Sequence, residues 1–268
     1  MNLNLFARDL QRNLRKFLIW TISIIALNVF TAAMYDSIAG STQSLQLFLK
    51  MYPEALMKAF GMDATSWSNV LGFYATYFVF YILLSGGIFA ITFGMDILGT
   101  EESKRTAEFL YTRPLTRTEI YISKAATAVT DLLLFNLANY LCAWITLTVI
   151  APEGFSFRNL TILHTYGMLF CFMFCGIGLL VASLIKRGKS SLFAGIGVVM
   201  LMYFYDALVK TTKNYDSLGY LTPYRFVPLN AASDSYGFTA GSLVYFLAIA
   251  VGSLVAGLLF FRKKDIYV

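Results

Sequence analysis

Six long apolar runs constrain this chain more than any motif does. They cover 17–34, 72–95, 122–150, 164–185, 192–209 and 241–261. A helix needs roughly 20 apolar residues to cross a hydrocarbon core of about 30 Å, and each run is of that order. Helices are the expected solution, because a spanning helix satisfies its own backbone groups and the alternation of barrel strands is absent. The first run follows Arg8, Arg12, Arg15 and Lys16, which imitates the basic head of a secretory signal. Its apolar core is longer than such signals carry, so it reads as a retained first span. The fold class is an all-α membrane protein with six transmembrane helices, forming one membrane domain over 1–268.

Composition and charge agree with that solvent. Hydrophobic residues make up 58% and charged residues 13%, and the mean hydropathy is +0.65. An ordinary soluble domain carries roughly 25% charged residues. With both termini in the cytoplasm, fifteen of the 21 lysines and arginines fall inside. They are four before the first run, five from Lys104 to Lys124, then Lys186, Arg187, Lys189 and Arg262 to Lys264. Six fall outside: Lys50, Lys58, Arg158, Lys210, Lys213 and Arg225. The excess sets the orientation. The net charge of +6 is thereby a topology signal that needs no nucleic-acid partner, and its inner cations suit anionic membrane lipid.

Residues 1–16 place Leu3, Phe6, Leu10 and Leu14 at spacings of three and four, with Arg8 and Arg12 turned away, the pattern of an amphipathic interfacial helix. In the outer segment 36–70, two short apolar pieces hinge at Pro53 and read as a structural elbow. Gly86, Gly87 and Gly94 in the second run permit close helix approach or bending.

The stretch 100–124, TEESKRTAEFLYTRPLTRTEIYISK, interrupts the apolar pattern with nine charged residues. Gly99 is expected to break the second span, with Thr100 as N-cap of a short helix and Glu101 and Glu102 in its first turn. Glu101 with Arg105 and Lys104 with Glu108 form four-residue pairs, and Ala107, Leu110 and Tyr111 share a face. Pro114 discourages helix at Arg113, and Thr116 with Glu119 forms a capping box that starts the next helix. The region 100–119 therefore predicts helix, break, helix at the inner surface, with a charged and partly apolar face shaped for docking.

The segment DILGTEESKRTAEFLYTRPLTRTEIYISK resembles the signature of ABC-2-type permeases, through Glu101, Glu102, Glu108, Pro114, Arg117 and Lys124. The basic N-terminus, six runs and Phe-Arg-Lys-Lys-Asp ending resemble that family as well. Where its members often carry Gly-Thr-Leu-Glu, this chain has Arg105-Thr106-Ala107-Glu108. The resemblance implies a permease subunit of an ATP-binding cassette exporter in the plasma membrane. It also implies a short cytoplasmic coupling helix between spans 2 and 3 that docks on a separate ATP-binding subunit. The coupling set would be Glu101, Glu102, Lys104, Arg105, Glu108, Leu110, Tyr111, Pro114 and Arg117. ATP and Mg would sit on that partner, and a second permease copy or a sister permease would complete the path.

Asp131 is the costliest residue inside a run. At about 100° per residue, Thr127, Asp131, Ala138, Cys142 and Thr146 share a face with Asn139 on its flank, so Thr127, Asp131, Asn139 and Thr146 form a possible translocation path. An equal reading holds Asp131 near the inner interface against Lys124 or a neighbouring helix. Cys142, Cys171 and Cys175 read as free thiols, and the single histidine, His164, makes a poor metal set with them. Tyr215, Tyr220, Tyr224 and Tyr236 suit interfacial anchoring. Ala248, Gly252 and Ala256 suggest a packing stripe in the last run. No phosphate loop and no HExxH occurs, so catalysis and a metal site on this chain are not expected. Two alternatives remain at this stage: an ion-coupled secondary transporter or channel using Asp131, and a non-transporting scaffold or sensor.

Overall fold

The computed structural model describes residues 1–39, 50–60, 62, 67, 69–103, 115–185, 189–212 and 216–264. Six of its helices are long and apolar enough to cross a membrane, and they match the six apolar runs, of which 164–185 extends one residue past its helix. They are α1 (Leu3–Ala39), a second span built from three segments, α5 (Arg117–Ile150), α6 (Phe157–Leu184), α7 (Lys189–Thr211) and α8 (Ala240–Lys263). The second span comprises α3 (Val70–Phe78), a π-helical segment (Val79–Gly86) and α4 (Gly87–Ser103). A short α2 (Glu54–Phe60) follows Pro53 of the sequence elbow, and two 3₁₀ turns (Asp216–Leu221 and Pro223–Phe226) precede α8. All regular elements among the described residues are helical.

The first helix is continuous. At 37 residues it is about 55 Å long, well beyond the hydrocarbon thickness, so 1–16 and 17–34 belong to one rod. Its inward ridge near the N-terminus is Leu5, Asp9 and Asn13, all buried, whereas Leu3 and Leu14 are exposed. The spacing-three-and-four apolar set thus lies largely away from the bundle, because the inward ridge has charged partners to meet.

In the second span, the Asn69 side chain accepts from the Leu71 N–H and starts the helix. The expected break at Gly99 does not occur. Helix α4 runs through it to Ser103, and Thr100 is an interior residue whose hydroxyl donates to the Asp96 carbonyl at 2.6 Å. A threonine that returns its hydroxyl one turn back satisfies itself inside a helix, so it has no need of a cap position. The predicted short helix beyond Ser103 lies largely outside the described residues. Its successor begins as expected: the Thr116 hydroxyl accepts from the Glu119 N–H and the Glu119 carboxylate accepts from the Thr116 N–H, a complete capping box.

Spans two and four cross at a reciprocal glycine contact. A Cβ at Gly94 would collide with the Cys175 carbonyl, and one at Gly178 with the Ile91 carbonyl. Only the missing side chains let the backbones of α4 and α6 approach so closely, which is how helices associate where no solvent drives them together. In α8 the expected stripe is not the face that packs within the chain. Gly252 has nothing within 4 Å of a Cβ position, while Phe246, Ala250, Ser253 and Gly257 are buried and form the packing face. Gly257 sits under the Tyr121 hydroxyl, and Gly176 of α6 under the Ala250 carbonyl.

The connection before α8 closes down on the bundle. Tyr224 and Tyr236 are buried rather than spread at an interface, while Tyr220 is exposed. Burial raises the Tyr236 phenol above its ordinary pKa.

Candidate functional site

The N-terminal thirds of α1 and α5 meet the C-terminal end of α4, and charged side chains from all three converge there. Lys124 is 1% exposed and Asp9 0%, so neither charge can be left to water. The Lys124 ammonium donates to Glu101 Oε2 at 2.8 Å, to Glu101 Oε1 at 3.0 Å and to the Ile97 carbonyl at 2.8 Å, and pairs with Asp9 Oδ2 at 3.3 Å. On the rim, Arg12 donates to Glu101 Oε1 at 2.7 Å, and Arg8 to Glu101 Oε1 at 3.2 Å and Asp9 Oδ1 at 2.9 Å. Arg12 also pairs with Asp9 Oδ1 at 3.3 Å. Lys16 pairs with Asp96 one level deeper.

Three cations and two carboxylates thus neutralise one another to within a single charge. A buried pair of this kind roughly balances its own desolvation cost, but removing one partner strands the other. The cluster therefore fixes which helices sit together at this end. Glu101 and Lys124 flank residues 104–114, so both arms of that connection are tied to α1 and to each other.

The sequence-predicted coupling residues separate into three groups. Glu101 faces inward, its carboxylate occupied by Lys124, Arg12 and Arg8. Arg117 reaches the C-terminal end of α8, donating to the Arg262 carbonyl at 3.3 Å and to that of Lys264. Lys104, Arg105, Glu108, Leu110, Tyr111 and Pro114 lie outside the described residues, as does the side chain of Glu102. Lys264 in turn donates to the Ala182 carbonyl at 3.0 Å and that of Ile185 at 3.2 Å, so α5, α8 and α6 are stitched in series at this end.

Of the predicted path residues, Thr127, Asp131 and Asn139 lie on the α5 face buried within the chain, and Thr146 is half-buried. Thr127 and Asn139 are fully buried and return their donors to the carbonyls of Ser123 and Phe135. Asp131 is 4% exposed, and its Oδ2 has no hydrogen-bond partner among the described residues. Lys124, weighed as its holder, has its hydrogen bonds to Glu101, Asp9 and Ile97. Toward the end of the bundle away from Lys124, Thr146 donates to Asn28 Oδ1 at 3.2 Å, Asn28 Nδ2 to the Tyr74 hydroxyl at 3.3 Å, and Tyr74 lies 2.9 Å from His164 Nε2. The four residues form one polar chain across spans one to four.

Sequence reasoning missed Asp9, Asn28 and His164 as members of networks. A signal existed for Asp9, the only acid among residues 1–16 and set between Arg8 and Arg12. The cysteines are free, with Cys171 and Cys175 buried.

A search of curated proteins finds no match to this chain. A protein-family model described as ABC-2 family transporter protein matches residues 3–266, from the start of α1 to beyond the end of α8. With six helices able to span a membrane and a match over nearly its whole length, the chain belongs to the ABC-2 family of transporter proteins and is a multi-pass membrane component of transport.

Proposed function

We propose that this chain is the permease subunit of an ATP-driven exporter in the plasma membrane, working as a pair of permeases with two separate ATP-binding subunits. Both termini and the 100–119 region face the cytoplasm in this reading, and ATP and Mg belong to the partner subunits. The observation that carries it is the ionic knot of Asp9, Glu101 and Lys124, set at the base of the connection that resembles the family's docking region. Force applied to residues 104–114 has two rigid exits, α4 through Glu101 and α5 through Lys124, and both lead to α1. A load arriving there moves three spans together rather than bending one loop.

The buried position of Glu101 changes how the reading is tested. Glu102 and Glu108 carry the docking role in this scheme, and Glu101 transmits. Charge reversal at Glu102 and Glu108 is expected to abolish co-purification of a subunit bearing a GxxxxGK[ST] loop with the tagged chain. Glu101→Gln is expected to leave co-purification intact while uncoupling ATP hydrolysis from transport. Undiminished transport in both variants would refute the scheme.

Ion-coupled flux through Asp131 draws on one observation, its unpaired buried oxygen. Its test is Asp131→Asn, which that reading expects to abolish flux driven by an ion gradient without ATP.

A further inference from the structure

Arg117 sits where its own helix disfavours it. Thr116 is the N-cap of α5, so Arg117 is the first helical residue. A cation there opposes the positive end of the helix dipole. The guanidinium is spent elsewhere: it donates to the carbonyls of Arg262 and Lys264, at the negative end of α8, where carbonyls run out of donors from their own helix. A residue that breaks a local rule for a tertiary gain marks a contact the fold has a use for.

The contact is one half of a two-point grip. Tyr121 lies one turn further along the same face of α5, and its hydroxyl donates to the Leu254 carbonyl at 3.0 Å. It fits only because residue 257 is glycine, since a Cβ there would collide with that hydroxyl. Its ring also packs on Phe261, with centroids 5.7 Å apart. The first turns of α5 and the last turns of α8 are therefore joined at two levels. Lys264 passes the connection on. Its main-chain carbonyl accepts from Arg117, while its ammonium donates to the Ala182 and Ile185 carbonyls at 3.0 and 3.2 Å and closes the C-terminal end of α6. Each helix end is thus capped by a cation from a neighbouring element, Arg117 on α8 and Lys264 on α6. The series starts three residues beyond Pro114, at the edge of the 104–114 connection.

We propose that Arg117 is a positioning residue rather than a docking contact: it carries displacement of the 104–114 connection to the ends of α8 and α6, with Lys264 as the second step. This rests on the permease reading, to which it adds a branch. The ionic knot leads from the same connection to α1, and the Arg117 series leads to α8 and α6, which the knot does not touch. Chemistry fixes the order of the series. Loss of the Arg117 guanidinium frees the end of α8 and with it the anchor of Lys264. Loss of the Lys264 ammonium frees α6 alone, because a side-chain change leaves the residue 264 carbonyl to Arg117. An arginine that docks on a partner predicts neither effect within this chain.

The test is hydrogen–deuterium exchange of the full chain, with the subunits that co-purify, in lipid nanodiscs. The reporters are the Lys264 N–H, bonded to the Phe261 carbonyl, and the Ile185 N–H, bonded to that of Val181, read in peptides covering 258–264 and 179–185. Without nucleotide, Arg117→Gln should speed exchange roughly tenfold in both peptides, and Lys264→Met in 179–185 alone. Arg117→Lys, which keeps a cation and a donor, should restore much of the protection. With ATP and vanadate, exchange at 179–185 should change in the wild-type complex and in neither Arg117→Gln nor Lys264→Met. Arg117→Gln should keep its co-purified subunit. Exchange at 179–185 indifferent to Arg117→Gln, a nucleotide response that survives both variants or is missing from the wild type, or loss of the subunit from Arg117→Gln overturns the proposal. If Arg117→Gln fails to fold, the wild-type nucleotide response and Lys264→Met decide the matter. Failure of the permease reading shows separately, as the absence of any co-purified ATP-binding subunit, and the nucleotide-free series then still decides whether the two helix ends are linked.

Discussion

The two ends of the bundle are held by different chemistry. At the end shared by Asp9, Glu101, Lys124, Arg117 and Lys264, charged side chains cross between helices, pairing with carboxylates or with carbonyls at helix C-termini. At the opposite end, neutral contacts do most of the joining, beside Arg158, which donates to the Tyr236 carbonyl at 3.0 Å. Asn159 donates to the carbonyls of Ala231 and Ser233 at 2.9 and 3.0 Å, the Tyr166 hydroxyl accepts from the Thr239 N–H at 2.7 Å, and Phe226 stacks on Tyr245 with ring centroids 3.8 Å apart. Asp206 and Lys210 form an ion pair there within one helix. The difference teaches which end tolerates change. A neutral contact can be lost singly, whereas a charge in the buried knot has no cheap alternative partner.

The largest effect is therefore expected from Lys124→Met. It removes the one fully buried cation, leaves Asp9 and Glu101 with only the partly exposed Arg8 and Arg12, and should lower stability by about 3–5 kcal/mol, read from thermal unfolding in detergent. A loss under about 1 kcal/mol would mean water reaches the knot, and the contrast between ends would collapse. Next, Gly178→Ala forces a methyl against the Ile91 carbonyl and should cost about 1–3 kcal/mol. It probes the crossing on which both ends hang, and Gly252→Ala, at an open position, is its neutral control. At the neutral end, Asn159→Ala leaves two carbonyls short of a donor, an expected loss of about 1–3 kcal/mol. Tyr236→Phe removes one hydrogen bond, 2.8 Å long, to the Pro228 carbonyl and should cost about 1 kcal/mol. A larger loss for Tyr236→Phe than for Lys124→Met would reverse the ranking of the ends.

Much of the fold was legible because the bilayer imposes simple demands. Length and hydropathy located six spans, since a spanning helix must be apolar over its own length whatever it packs against. The Thr116 and Glu119 box was equally readable, because a capping box closes within four residues. Errors came where a local rule competed with a tertiary one. Gly99 looked like a stop, but Thr100 satisfies itself on Asp96 and α4 continues. Ala248, Gly252 and Ala256 suggested a packing stripe, but the face of α8 that packs within the chain is another, because a small-residue stripe does not say which neighbour it meets.

The sequence by itself determined the solvent, the number of spans and the resemblance of the 100–124 stretch to its family. Each depends on residues close together in the chain, or on composition. Tertiary structure alone decided that Glu101 points inward and that Asp9 and not Asp131 shares Lys124. Those outcomes join residues up to 115 positions apart, as in the pair of Lys124 with Asp9. No periodicity encodes them: a buried charge or unmet donor is settled by whichever helix the packing brings alongside.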